Sequence, residues 1–193
     1  AEHGGARILV LCDTNGGTLT SEIGEIIEAV KERIGIPFGI HAHNDSGVGV
    51  ANSLLAVELG AVQVQGTFNG YGERCGNANL CSILPNLELK MGYQTVGREK
   101  LADLMGFSRV LSEIANVHHD HRQPFIGESA FAHKGGAHVD GVMKVAHSFE
   151  HIEPESVGNE RRFLVSDQSG GATIVTKLRR FLPGVEKKDP LVS

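Results

Sequence analysis

Two histidines separated by one residue are the feature of this sequence that points most directly to chemistry. His41 and His43 follow a short apolar run that begins after Pro37. Residues two apart on a strand point to the same side of a sheet, so both imidazoles can face one point. Two imidazoles facing one point suit a divalent metal ion. Taken alone, the pair also fits ordinary strand-end histidines that bond to the backbone.

A glycine-rich polar loop strengthens the metal interpretation. Residues 66–77 leave the next apolar run and carry Glu73, Arg74 and Asn77 among several glycines. Glycine lets the backbone and polar side chains crowd around a small ligand. Plainer roles also fit these residues, because Glu73 and Arg74 could pair to brace the loop and Asn77 could cap the following helix. Asp45 is expected to cap a helix or to accept a hydrogen bond behind the ligands.

Alternating strand and helix patterns would bring these two segments together. A continuous apolar run predicts a strand at residues 8–12, which is expected to be buried on both faces. Shorter apolar stretches predict strands at 38–42 and 62–66. Amphipathic segments between them predict helices. Short connections of this kind produce a parallel sheet with right-handed crossovers. Each polar motif then stands at the C-terminal end of a strand, where a (β/α)₈ barrel carries its active site.

The predicted fold class is α/β: the C-terminal part of a (β/α)₈ TIM barrel, its last three strand–helix units, followed by a small, mainly helical subdomain. A complete barrel needs roughly 250 residues, so the first strands are expected to be absent. Residues 1–116 are predicted to form the partial barrel, with helices at 79–89 and 98–116. Residues 117–193 are predicted to form a connector and the helical subdomain. The subdomain contains a His/Gly-rich motif at 131–141, a polar loop at 166–171 and a helix with Ile174, Leu178 and Phe181.

Composition excludes several classes of function. The chain has 193 residues, of which 40% are hydrophobic and 21% charged, as in an ordinary globular protein. A net charge of −5 gives no support for binding to nucleic acid or to a membrane surface. Three cysteines without framework spacing favour reduced thiols and a cytoplasmic location. The cluster His118, His119, Asp120 and His121 fits either a second metal site or a solvated connector.

Two motifs resemble those of a known superfamily. They are His-x-His-Asn-Asp at 41–45 and Asn-Gly-x-Gly-Glu-Arg-x-Gly-Asn at 69–77. The sequence is similar to the metal-dependent acyl-CoA condensing enzymes and lyases, which include isopropylmalate, homocitrate and citramalate synthases and hydroxymethylglutaryl-CoA lyase. Stretches at 11–17 and 129–136 bring the likeness closest to the long-type citramalate synthases.

The resemblance implies roles for six residues. His41, His43 and Asn77 are expected to be ligands of a divalent cation, which would be Mn²⁺, Zn²⁺, Co²⁺ or Mg²⁺. Thr14 is expected to bind the carboxylate of a 2-oxo acid. His138 and Asp140 correspond to a catalytic pair that the C-terminal subdomain places in the active site of a partner subunit, which implies a homodimer.

Part of the superfamily's catalytic set is missing from this chain. The motif Asp-x-Thr-Leu-Arg-Asp-Gly, which supplies the first metal ligand and a catalytic Arg, does not occur. An expected catalytic Glu is also missing, and Phe149 stands where relatives often have Tyr. The resemblance therefore implies a C-terminal fragment that is expected to be inactive by itself.

The reaction that the resemblance implies joins acetyl-CoA to pyruvate and hydrolyses the thioester, giving (R)-citramalate for isoleucine biosynthesis. Several alternatives stay open at this point. They are an isopropylmalate or homocitrate synthase with a larger 2-oxo acid, a hydroxyacyl-CoA lyase, a metal-dependent hydrolase and a fragment without catalysis. No nucleic-acid or membrane partner is expected.

Overall fold

The chain forms two compact units in a computed structural model that describes residues 1–165, 170–179 and 181–192. The first unit consists of Ala1–Gly97 with Val110–Asn116. The second consists of Arg98–Arg109 with the residues from Val117 onward. The domain boundary between residues 116 and 117 stays a prediction.

The first unit is built on three parallel strands joined by helices. In chain order these elements are β1 (Leu9–Asp13), α1 (Thr20–Lys31), β2 (Phe38–Ala42), α2 (Gly49–Glu58) and β3 (Gln63–Gln65). The sheet order is β1-β2-β3, and Cys12, His41 and Gln65 stand in one row across it. The predicted parallel β-α-β-α-β arrangement of a barrel segment is therefore confirmed.

Apolar side chains between the sheet and its helices form the core that holds the strand ends in place. Ile27 of α1, Ile40 of β2 and Ala56 of α2 are fully buried. The expectation that β1 is buried on both faces is wrong, because its residues are mostly half-buried. Within the described residues β1 pairs only with β2, so one of its edges lacks a neighbour.

The helices after β3 are shorter than the hydrophobic pattern predicts. The expected helix at 79–89 is α3 (Leu80–Pro85) followed by a wider π-turn at Asn86–Lys90. Pro85 lacks a backbone N–H and disturbs regular helical bonding, which explains the change. The expected helix at 98–116 divides into α4 (Arg98–Leu101) and α5 (Leu104–Ala115). Asp103 donates its N–H to the carbonyl of Lys100, three residues back, which tightens the chain between them.

The second unit contains a small parallel sheet as well as helices. Its main elements are β4 (Ala132–His133), α6 (Gly136–Lys144), β5 (Arg162–Phe163) and α7 (Gly171–Leu178). Short 3-10 turns lie at Ala146–Ser148 and Pro154–Val157. The prediction that Phe181 belongs to the apolar stripe of the last helix is wrong, because α7 ends at Leu178 and Phe181 is 82% exposed. Most of the predicted polar loop, residues 166–169, lies outside the described residues.

No helix in the part of the chain that the structure describes is both long and apolar enough to cross a membrane.

Candidate metal centre

The histidine pair lies where β2 ends. His41 belongs to β2, and His43 follows it and forms an isolated antiparallel bridge with Asn77. The imidazole centroids of His41 and His43 are 5.4 Å apart with a 67° angle between the ring planes. Both side chains are half-buried. Strand periodicity thus places the two rings next to each other, as the spacing predicts.

Two polar atoms at this bridge are buried without a hydrogen-bond partner in the structure. They are Nδ1 of His43 and the side-chain oxygen Oδ1 of Asn77. The amide nitrogen of Asn77 donates to the carbonyl of Tyr71 at 2.9 Å, which orients Oδ1 as the free atom. Buried polar atoms are normally satisfied, and leaving one unpaired is costly. An imidazole nitrogen and an amide oxygen, carried by two residues that pair in one β-bridge, are donor types that divalent cations accept.

Glycines allow the loop from β3 to fold tightly around Asn77. Gly76 has a φ of +85°, and a Cβ atom on it would lie 1.9 Å from the carbonyl oxygen of Gly70. A Cβ on Gly72 would lie 2.2 Å from the amide nitrogen of Asn77. The glycine-rich composition of the loop thus has a steric cause, because a side chain at Gly72 would displace Asn77 and one at Gly76 would displace the Gly70 carbonyl.

Arg74 connects this loop to Asp45 and Thr14. Its Nε donates to Asp45 Oδ1 at 2.8 Å, and its Nη2 donates to Asp45 Oδ2 at 3.0 Å and to the Thr14 carbonyl at 2.8 Å. The hydrogen bond from Arg74 lowers the pKa of Asp45. Glu73 is expected from the sequence as a possible partner of Arg74. Its Oε2 lies 3.8 Å from Arg74 Nη1, and its side chain is largely exposed.

The helix-capping role expected for Asp45 falls to its neighbour. Asn44 Oδ1 accepts the N–H of Gly49 at 3.0 Å, at the start of α2. Asp45 instead accepts from Arg74, which is not one of the predicted ligands, so its predicted role behind the ligands stays a prediction. The sequence shows both polar residues before α2 but does not show which of them caps the helix.

Thr14 stands at the mouth of an open cavity of about 830 Å³ beside β1. The cavity lining includes Asp13, Thr14, Asn15, Asp45 and Arg74. The Thr14 side chain is exposed, as contact with a substrate requires. Sequence reasoning missed Asp13, whose buried carboxylate accepts the hydroxyl of Thr18 at 3.0 Å. The sequence does contain a signal for this contact, because Asp13 stands five residues before Thr18 with two glycines between them.

His138 and Asp140 lie on α6 in the second unit. His138 is exposed and stacks on the Phe149 ring with 4.5 Å between centroids. Asp140 accepts from Lys144 at 2.7 Å and from Lys187 at 3.1 Å. These hydrogen bonds lower the pKa of Asp140, and the bond from Lys144 has the larger effect. Residues two apart on a helix do not face each other, so a direct His138–Asp140 contact is not expected. Their catalytic role stays a prediction.

Acidic, cysteine and histidine side chains alone do not form a metal site in the described residues, since no three of them group closely enough. The cluster from His118 to His121 thus lacks the ligands for a second metal site. Burial, followed by the charge of Arg109, lowers the pKa of His119.

Comparison with known proteins identifies the family. Residues 1–111 match the HMGL-like family. The chain belongs to the HMGL-like family. Residues 125–188 match the homocitrate synthase post-HMGL domain-like family, which follows the HMGL-like part along the chain. The superfamily resemblance drawn from the two motifs is confirmed, and the three parallel strands are a segment of an HMGL-like TIM barrel.

Similar proteins narrow the likeness further. An (R)-citramalate synthase of Synechocystis sp. is 52% identical over 98% of this chain and 36% of that protein. A 2-isopropylmalate synthase of Methanocaldococcus jannaschii is 37% identical over 96% of this chain and 35% of that protein. The solved structure of a Bacillus subtilis HMG-CoA lyase has 25% identity and a TM-score of 0.54, covering 60% of this chain and 40% of that one.

The HMGL-like chain spans about a third of the length of the curated relatives it matches. The family consists of metal-dependent enzymes, which agrees with the unpartnered His43 and Asn77 atoms. The motif Asp-x-Thr-Leu-Arg-Asp-Gly, which the resemblance associates with a further metal ligand, does not occur in these 193 residues.

Proposed function

We propose that the protein containing this chain is an acyltransferase that condenses acetyl-CoA with pyruvate and hydrolyses the thioester with water, giving (R)-citramalate and free CoA. The observation that carries the proposal is the pair of buried, unpartnered atoms, His43 Nδ1 and Asn77 Oδ1, beside His41 at neighbouring strand ends. The 52% identity to a citramalate synthase supports pyruvate as the 2-oxo acid.

His41, His43 and Asn77 would hold a divalent cation, and Mn²⁺, Zn²⁺, Co²⁺ or Mg²⁺ suits this mixture of nitrogen and oxygen donors. Once bound, such a cation would supply Lewis-acid polarisation of the substrate ketone. Thr14, exposed at the end of β1, would donate its hydroxyl to the carboxylate of the 2-oxo acid. The backbone carbonyl of Tyr71 would accept a hydrogen bond from the Asn77 amide nitrogen and so keep the Asn77 oxygen directed at the metal centre.

His138 and Asp140 would act from the C-terminal subdomain of the partner subunit in a homodimer. The condensation needs a proton removed from the acetyl methyl group and a proton delivered to the new hydroxyl oxygen. An imidazole is suited to such transfers because its pKa lies near neutrality. Stacking on Phe149 would hold the His138 ring in a fixed plane. Asp140 would connect α6 to the segment that contains Lys187.

A thiol-release assay on the full-length protein tests this function. Release of free CoA thiol from acetyl-CoA should depend on pyruvate and on an added divalent cation. His41→Ala should lower the rate by about 10²-fold or more, the usual loss when a group that positions or stabilises the reacting centre is removed. His3→Ala, the same change at an exposed histidine in the N-terminal turn, should leave the rate unchanged.

The second candidate is an isopropylmalate synthase, which the 37% identity to that enzyme keeps in view. It is distinguished in the same assay by 2-oxoisovalerate, which carries a larger branched side chain than pyruvate. A kcat/KM at least as high for 2-oxoisovalerate would exclude the citramalate proposal. If neither pyruvate nor 2-oxoisovalerate supports thiol release, both the citramalate synthase and the isopropylmalate synthase candidates are excluded.

A further inference from the structure

The Arg74 guanidinium contacts the loops that follow two other strands. Arg74 itself lies in the loop after β3, while Asp45 follows β2 and Thr14 follows β1. Three donor–acceptor contacts of 2.8 to 3.0 Å join them. The Asp45 contact uses two parallel N–H groups, a geometry that a planar guanidinium provides and a lysine ammonium cannot.

The surrounding backbone is arranged to make these contacts. Arg74 has a φ of +58°, which is unusual and unfavourable for a residue other than glycine. A Cβ on Gly16 would lie 2.3 Å from Asp45 Oδ2, so the β1 loop passes directly against the carboxylate. An unfavourable backbone angle and a close approach at the same point indicate that Arg74 is held in this position by its partners.

Backbone hydrogen bonds also join the three loops. The N–H of Ser46 donates to the Gly16 carbonyl, and the N–H of Asn44 donates to the Gly76 carbonyl, both at 2.9 Å. These bonds do not involve the Arg74 side chain. A change confined to that side chain should therefore leave the fold intact while it releases the position of the Thr14 carbonyl.

We propose that Arg74 is a positioning residue that fixes the loops after β1, β2 and β3 to one another and thereby sets the place of Thr14, where the 2-oxo acid carboxylate binds. The proposal rests on the proposed function. It adds that Arg74 affects binding of the 2-oxo acid more strongly than binding of acetyl-CoA, because its third hydrogen bond goes to the backbone of Thr14.

The test compares Arg74→Lys with Arg33→Lys in the full-length protein. Arg33 is a matched control, because it is an exposed arginine that donates to a backbone carbonyl, that of Ala29, at 2.7 Å. Arg74→Lys should raise the KM for pyruvate about 10-fold or more, as expected when hydrogen bonds to a charged group are lost. The KM for acetyl-CoA should stay within about 2-fold of wild type. Arg33→Lys should change neither constant.

Two further measurements separate positioning from a general loss of structure. In hydrogen exchange, the amides of Gly16 to Thr18 should lose protection in Arg74→Lys, while those of α1 keep it. The double variant Arg74→Lys with Asp45→Asn should be no worse than the worse single variant, because both changes remove one interaction. The affinity of the metal-free protein for Mn²⁺, measured by calorimetry, should fall less than the affinity for pyruvate.

Several outcomes would overturn the proposal. One is an unchanged pyruvate KM in Arg74→Lys, and another is an equal rise of both KM values together with a lower melting temperature. If the wild-type protein releases no thiol, the proposed function fails. Hydrogen exchange then tests by itself whether Arg74 positions the β1 loop. Unchanged protection of the β1 loop in Arg74→Lys would then refute the positioning role.

Discussion

Asn77 is the residue whose chemistry is least visible from the sequence and clearest in the structure. An asparagine before a helix usually caps it, and here Asn79 does so, accepting the N–H of Cys81 at 2.9 Å. Asn77 instead bonds through its amide nitrogen and leaves its oxygen buried without a partner. The two asparagines therefore offer a matched pair for mutation.

We predict that Asn77→Ala weakens divalent-metal binding about 10-fold or more, because one oxygen donor is lost. Asn77→Asp should recover binding only in part, since a carboxylate keeps an oxygen at that position but cannot donate to the Tyr71 carbonyl. Asn79→Ala should leave metal affinity unchanged and lower the stability by about 1 kcal/mol through loss of the cap. Calorimetry of metal binding to the metal-free full-length protein measures all three. Equal metal affinity in Asn77→Ala and wild type would refute the ligand assignment.

Glu150 is a second residue whose role comes from burial. It is almost fully buried and accepts from Arg161 through Nε at 2.7 Å and also through Nη2, and its Oε1 lies 2.9 Å from His133 Nε2. Burial alone would raise the pKa of Glu150, but hydrogen bonds from Arg161 and His133 outweigh it and lower the pKa. The carboxylate connects a residue of β4 to the residue that precedes β5.

We predict that Glu150→Gln destabilises the protein by about 3 kcal/mol, because it removes one partner from a buried charged network. Glu153→Gln, at an exposed position beside His147, should change the stability by less than about 0.5 kcal/mol. Urea unfolding of the full-length variants, followed by circular dichroism, gives the two values. Equal midpoints for Glu150→Gln and Glu153→Gln would contradict the role of the buried network.

At the residue scale, the sequence predicts side chains that act through local spacing. The neighbouring positions of His41 and His43 follow from the period of a strand, and the need for glycine near Asn77 follows from crowding. The contacts of Arg74 and of Glu150 with Arg161 could not be predicted. Their partners come from separate elements, and no local rule selects one carboxylate for one guanidinium.

Among the elements, the π-turn after α3 depends on one carboxylate. Glu88 is 7% exposed and accepts from the Thr95 hydroxyl at 2.6 Å and from the Gly97 N–H at 3.1 Å. The hydrogen bond from Thr95 is the main cause that lowers the pKa of Glu88. The ionised form thus holds the turn to the segment that leads into α4.

We predict that Glu88→Gln costs about 1–3 kcal/mol of unfolding free energy at pH 7, because hydrogen bonds to a charged group are weakened. The folded pKa lies below the unfolded one, so this contribution is complete above about pH 4.5 and is lost as the pH falls through the folded pKa. The stability difference between wild type and Glu88→Gln should therefore shrink in acid. Denaturation at several pH values measures this difference, and Glu58→Gln, at an exposed position of α2, is the control. A difference that is constant with pH would refute the assignment.

Prediction of helices and strands succeeds where one hydrophobic period continues along the segment. It fails where the backbone changes locally from one hydrogen-bonding pattern to another. β2 lies at residues 38–42 as predicted, since its apolar run is bounded by Pro37 and a polar motif. The helix predicted from 98 to 116 keeps its apolar spacing, yet the backbone divides it at Ala102 and Asp103. Hydrophobic spacing indicates which side chains share one face of a helix. It does not record a local switch to three-residue bonding, nor the depth of burial, since Phe107 and Ile114 of this segment are 45% and 77% exposed.

For the whole molecule, the sharpest test concerns the proposed crossing of His138 to the partner subunit. We predict that full-length His138→Ala and His41→Ala are each nearly inactive but regain activity when mixed and allowed to exchange subunits. Random pairing makes about half of the dimers mixed, and each mixed dimer has one intact site of two, so recovery should approach about a quarter of wild type. Thiol release after mixing measures it.

A mixture of His41→Ala and His43→Ala is the control, because both changes damage the same site and no intact site can form. It should stay inactive. Failure of the His138→Ala and His41→Ala mixture, despite demonstrated subunit exchange, would place His138 in the site of its own chain or leave it a purely structural role.

The position of β1 and β3 at the two borders of the sheet has a consequence for handling the segment in isolation. Among the described residues, each of these strands is hydrogen-bonded on one side only, and free strand borders recruit other strands. Produced alone at high concentration, the segment should self-associate through these borders. Produced together with a separate polypeptide that carries the preceding barrel strands of an HMGL-like relative, it should pair with those strands instead, so the same two borders make a barrel of this family a candidate for reassembly from two pieces.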